Sequence, residues 1–228
     1  MTTPKRETPP LALDRGSAGN VRREHPEQDR ILRIVEPVLE FTHGRTEKAF
    51  EVFRKIAADR TLNDAAKKVE RAKYSERVFK EAAPRFDSAA EKFRAERANA
   101  EREIALSLRR RSEGEEFAIV AAFRQASKKD RDEEMSRAIK NGLGYIIGAI
   151  DRAPKILSGV DPAEVAMARE RWIRTQLPEV VDRLAAIEGA EGVLHRAGNA
   201  LSAMHRKIMA DAKDAAKAAA EREAAMKG

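Results

Sequence analysis

Apolar residues in this chain recur three or four positions apart in segment after segment, and no stretch reads as a credible strand. That spacing lines one face of a helix, whereas a half-buried strand needs alternation. Ile31, Ile34/Val35, Val38 and Phe41 show it early, and Leu194, Ala197, Leu201, Met204 and Ile208 show it late. Alanine contributes 41 of the 228 residues, and Glu, Lys, Arg and Leu are the other dominant types, all good helix formers. The expected fold class is all-α: an elongated helical hairpin or bundle with a disordered N-terminal tail and a long Ala-rich C-terminal helix.

Punctuation residues divide the pattern. Residues 1–25 hold Pro4, Pro9, Pro10, Gly16 and Gly19 among few apolar side chains. Such a segment buries too little surface to offset its ordering entropy, so it is expected to be a disordered basic tail. Residues 26–112 are expected to form amphipathic helices, with Pro37 kinking or splitting the first, Thr42 to Gly44 ending it, and Thr46 and Thr61 capping successors. Pro84 reads as the turn of a long antiparallel hairpin over residues 62–111.

Residues 113–189 read as a central bundle segment. Ser112–Glu113–Gly114–Glu115 is a capping box, Ser127 caps the next helix, and Asp161–Pro162–Ala163–Glu164 is the clearest helix start in the chain. Phe117 to Phe123 is apolar on nearly every side, which predicts a buried central helix. Asn141–Gly142 is a helix stop. Residues 190–228 are expected to form one long helix whose end frays, because beyond Met209 there is little besides Ala and charged residues to pack.

Composition excludes some chemistry. There is no Cys, hence no disulfide, thiolate metal site or cysteine nucleophile. The longest mostly apolar stretch, Leu143 to Ile150, is far short of a bilayer span. No apolar signal segment opens the chain. The reading is a soluble cytoplasmic protein. The formal net charge is +7. Residues 1–112 hold 26 Lys and Arg against 19 Asp and Glu, while residues 113–228 hold 19 of each.

Four constellations resemble functional motifs. Gly142–Leu143–Gly144 with Gly148 gives G-x-G-x-x-x-G, but a dinucleotide loop needs a strand before it, and Asp132 to Lys140 is charged and helical. The expectation is a helix stop followed by a helix in which Gly144 and Gly148 allow close backbone approach. Glu40 to His43 gives one E-x-x-H unit, and a di-iron bundle needs two. His195 and His205 lie ten residues apart on one helix, about 80° apart around its axis, so they cannot share an ion unaided. No metal, cofactor or catalytic residue is assigned. Thr61 to Ala66 is only faintly like the opening of a helix-turn-helix.

Five arginines are candidate phosphate contacts: Arg22 and Arg23 in the tail, and Arg109, Arg110 and Arg111 closing the second helix of the hairpin. The function expected is a non-enzymatic helical interaction or scaffold protein acting through amphipathic faces on a protein partner or a second copy. One alternative is sequence-independent nucleic-acid binding by the basic front half. The other is an amphipathic coat on a lipid or granule surface, although membrane-surface contact is the less expected partner.

Overall fold

The computed structural model describes residues 8–227, the side chains of Arg15 and Lys227 excepted. Among them every regular element is helical: α1 (Gly19–Glu24), α2 (Asp29–Ala58), α3 (Asp64–Ser107), α4 (Glu113–Gln125), α5 (Lys128–Lys140), α6 (Gly144–Arg152), α7 (Lys155–Ser158), α8 (Pro162–Gln176) and α9 (Pro178–Lys227). The all-α class stands. The chain divides into two compact units, one made of everything up to Arg94 and from Ala186 onward, the other of Ala95–Ala185. The boundaries fall inside α3 and α9, not at the proposed positions 112 and 189.

In the first unit α2, α3 and α9 share one core. Ile31, Leu32, Val35, Leu39 and Phe53 of α2 meet Val78, Ala82 and Phe93 of α3 and Ile187, Val193 and Leu201 of α9. Each large side chain so buried stabilises the fold by about 1.5–3 kcal/mol. The helices alternate in direction. Phe53 packs edge-on to Tyr74 with ring centres 6.3 Å apart, Arg45 pairs with Glu81 at 3.1 Å, and Arg85 lies 3.7 Å over Phe41. Falling numbers on α2 thus meet rising numbers on α3. Along α9, His205 stacks on Phe79 at 4.6 Å and Gly198 faces Phe86.

The antiparallel hairpin is therefore made by α2 and α3, turning at residues 59–63, and not at Pro84. Pro84 lies inside α3, and Pro37 inside α2. An interior proline costs a helix about 3 kcal/mol. Here Val35, Val38 and Leu39 flank one and Ala82 and Ala89 the other, all buried in one core. Breaking either helix would expose those faces, so packing wins. Nor does α2 end at Gly44: Thr42 and Thr46 are fully buried, and the Thr46 hydroxyl donates back to the Thr42 carbonyl at 2.7 Å instead of capping. Asn63, not Thr61, caps α3, its Oδ1 accepting from Ala66 N at 2.8 Å.

The expected tail is folded wherever it is described. Two 3-10 turns, Leu11–Leu13 and Arg15–Ala18, lead into α1, with Asp14 Oδ1 accepting from Gly16 N at 2.6 Å. Leu13, Ala18 and Val21 are buried in the core, and Val21 touches the space beside Gly189. Few apolar residues suffice because α2 and α9 already offer a formed surface. Residues 1–7 of the proposed tail lie outside the described residues. At the other end, no described side chain after Ala212 is buried.

The second unit centres on α6. Ile146, Ile147 and Ile150 are buried against Ile104, Phe123, Ile139 and Trp172. The predicted buried helix, α4, instead lies at the periphery: only Phe123 is buried, and Phe117 is 77% exposed. An apolar run without a dominant face does not say which side meets the core. The caps hold as read. Ser112 Oγ accepts from Glu115 N and Ser127 Oγ from Asp130 N, each at 3.2 Å, and Asp161 accepts from Ala163 N at 3.0 Å. Gly142, with φ of 70°, ends α5 in the left-handed conformation.

Candidate functional site

The five candidate arginines are placed as follows. Arg22, on α1, pairs with Glu36 at 2.8 Å; that hydrogen bond and the carboxylate charge raise its pKa above the ordinary arginine value. Arg23 donates to the Asn20 side chain. The triad does not close a helix: α3 ends at Ser107, and Arg109, Arg110 and Arg111 lie on the exposed connection to α4. Arg110 pairs with Glu113 at 3.2 Å and approaches Glu116 at 3.8 Å. Arg111 stands 4.0 Å over the Tyr145 ring. Among the described residues Arg109 alone of the three has no such partner. Arg22 and Arg23 belong to the first unit and the triad to the second. The second unit is also nearly neutral, with 17 Lys and Arg against 16 Asp and Glu; the first holds 28 against 22.

The glycine motif builds no phosphate loop. A Cβ on Gly144 would lie 2.4 Å from the Ser107 carbonyl oxygen and 2.6 Å from the Trp172 ring; one on Gly148 would lie 2.1 Å from the Leu108 carbonyl oxygen. Both glycines serve close backbone packing, and Arg152 locks it by donating to Leu108 O at 3.0 Å and pairing with Glu116 at 2.7 Å. His43 lies within α2, 3.5 Å from Glu47. Among the described residues no three His, Asp or Glu are grouped to hold a metal ion. No described helix is long and apolar enough to cross a membrane.

His195 is exposed, its Nε2 3.3 Å from Asn199 Nδ2. His205 is drawn into the α3–α9 packing, with Nδ1 3.1 Å from Ser75 Oγ and its ring on Phe79. Burial pushes its pKa below the usual histidine value, against a smaller opposing pull from Glu76. A histidine beside a serine suggests nucleophile activation, but Ser75 is 1% exposed, so no substrate reaches its hydroxyl. The pair is a packing contact.

One surface of the first unit escaped sequence reasoning. Between α2 and α3 runs an open groove of about 410 Å³ with Ile34, Val38 and Ala89 at its base and the exposed Pro37 and Pro84 on its edges. Four charged side chains line it. Arg33 is held by Asp29 at 2.7 Å and Glu81 by Arg45 at 3.1 Å, which neutralises both. Arg85, fixed over Phe41, and Lys92 meet no carboxylate among the described residues. The groove therefore presents two uncompensated cations beside an apolar floor. A hairpin turn expected at Pro84 does not bring α2 and α3 together, so the sequence pattern gives no sign of the groove. No protein-family model, curated protein or solved structure matches this chain.

Proposed function

We propose that the chain is a non-enzymatic helical interaction protein, a scaffold or assembly component that works by presenting helix faces to other helices. One observation carries this reading: α9 continues to Lys227 although no described side chain beyond Ala212 is buried. Helices in proteins owe most of their stability to packing of one face. Here the core-facing register of Leu201, Ile208 and Ala212 runs on through Ala215 and Ala219 to Met226, which is 82% exposed. A helix extended this far past its own core supplies a surface for a second chain.

A second reading, sequence-independent contact with nucleic-acid phosphates, is favoured by the concentration of positive charge in the first unit. Size-exclusion chromatography with light scattering, monitored at 260 and 280 nm, separates the two. The chain has one Trp and two Tyr, so carried nucleic acid is conspicuous. A clean peak at twice 25.4 kDa or more supports the interaction reading. A high 260/280 ratio that collapses in salt, and weakens further when Arg109, Arg110 and Arg111 are replaced by Ala, overturns it in favour of the phosphate reading.

A further inference from the structure

We infer that the α2–α3 groove is the docking site for the acidic stripe at the end of α9 from a second copy of this chain. The inference rests on the interaction reading and names its partner. At 100° per residue, Asp211, Asp214, Ala218, Glu221 and Ala225 fall within one arc of about 80°, with Lys217 and Arg222 flanking it and Lys213, Glu223 and Lys227 on the far side. The end of α9 thus carries one stripe of three carboxylates despite its near-neutral total. Asp214 and Glu221 are seven residues apart with Ala218 between them. Arg85 and Lys92 are also seven apart, two turns of α3, so each pair spans about 10 Å along its helix. Laid in the groove, the α9 end sets two carboxylates against the two uncompensated cations and the Ala218 methyl toward Ile34 and Val38.

The docking is between molecules. Within one chain the α9 end follows His205, which faces Ser75, and continues past the start of α3, whereas the groove opens at Pro84 on the side formed with α2. Glu221 holds only a loose contact with Lys217, 3.9 Å across an exposed surface, and exchanging it costs little. Donor and acceptor surfaces differ, so each copy can donate its α9 end and accept another's in its own groove. A short alanine-rich helix in one groove buries less than the ~800 Å² per partner of a stable complex, so the association is weak and depends on concentration.

The test uses the full chain, from about 10 µM to about 1 mM, by sedimentation equilibrium in low salt. Wild type should gain mass continuously with concentration and lose the gain at about 500 mM salt. Arg85→Glu/Lys92→Glu and, separately, Asp214→Lys/Glu221→Lys should each associate about tenfold more weakly or worse, and an equimolar mixture of the two should regain association. A chain ending at Ala212 should stay monomeric, which tests the idea even if the groove variant fails to fold by circular dichroism. Lys68→Glu, the same charge reversal on α3 outside the groove, should leave the mass curve unchanged. A wild type that remains monomeric at about 1 mM overturns the inference. So does self-association that survives both double variants, and that outcome leaves the broader interaction reading standing.

Discussion

Gly148→Ala is the sharpest test of how the second unit is held together. The added Cβ would lie 2.1 Å from the Leu108 carbonyl oxygen, and such contacts are essentially never shorter than 3.0 Å. The obstacle is backbone, so α6 and the end of α3 must separate by about 0.9 Å. Overpacking of this kind costs about 1–3 kcal/mol. The hydrogen bond from Arg152 to that carbonyl, 3.0 Å long, stretches with it, adding about 1 kcal/mol. Replacing Gly by Ala inside a helix returns about 1 kcal/mol of propensity. The net expectation is a loss of about 1–3 kcal/mol, which lowers the melting temperature of a unit this size by about 5–20 °C. Gly44→Ala is the matched control. It lies inside α2 with nothing within 4 Å of its Cβ, so the propensity gain stands alone and the protein is stabilised by about 1 kcal/mol. Thermal unfolding followed by fluorescence of Trp172, the only Trp, reads the second unit directly, while far-ultraviolet ellipticity reads both. Gly148→Ala melting at or above wild type would refute the close approach.

Ser127→Ala should cost about 1 kcal/mol, because Ser127 caps α5 and exchanges hydrogen bonds with Asp130, and urea unfolding monitored by Trp172 should show it. Pro84→Ala restores an N–H to the Lys80 carbonyl inside α3, and because Pro84 is exposed little packing is lost. A gain of about 1–3 kcal/mol in urea unfolding is expected, and destabilisation would mean the proline fits better than its missing donor implies. His205 has a folded-state pKa lowered by burial, so the unfolded chain binds the proton more readily. Its contribution is present above the unfolded-state pKa and is lost as pH falls through that value toward the folded one. Between about pH 7.5 and about pH 5.5 the wild type should therefore lose more melting temperature than His205→Gln; equal slopes would count against burial of the neutral ring.

Legibility varied with the range of the interaction. The capping serines at 112 and 127, the Asp161–Pro162 start and the Asn141–Gly142 stop lie where local chemistry places them, since a cap bonds an amide two or three residues away. The glycines at 144 and 148 were correctly read as a place of close approach, but not the carbonyls they approach. The candidate arginines were legible as positions only. Glu36 beside Arg22 and Tyr145 beneath Arg111 come from segments 14 and 34 residues away, and they decide how much free charge remains. The groove cations Arg85 and Lys92 carried no signal in a sequence crowded with basic residues.

The sequence by itself determined that the chain is helical, because alanine-rich segments with apolar residues three and four apart have no other way to bury a face. It also determined where α4, α5 and α8 start. Only the tertiary structure decided that Pro37 and Pro84 interrupt nothing, that residues 11–24 fold, and that α6 and not α4 sits at the centre. Each of those outcomes weighs a local cost of a few kcal/mol against burial on a face supplied by distant segments, as Ile31 to Phe93 are covered by Ile187 to Ala212. Local spacing records the cost; the surface that offsets it exists only once the helices have met.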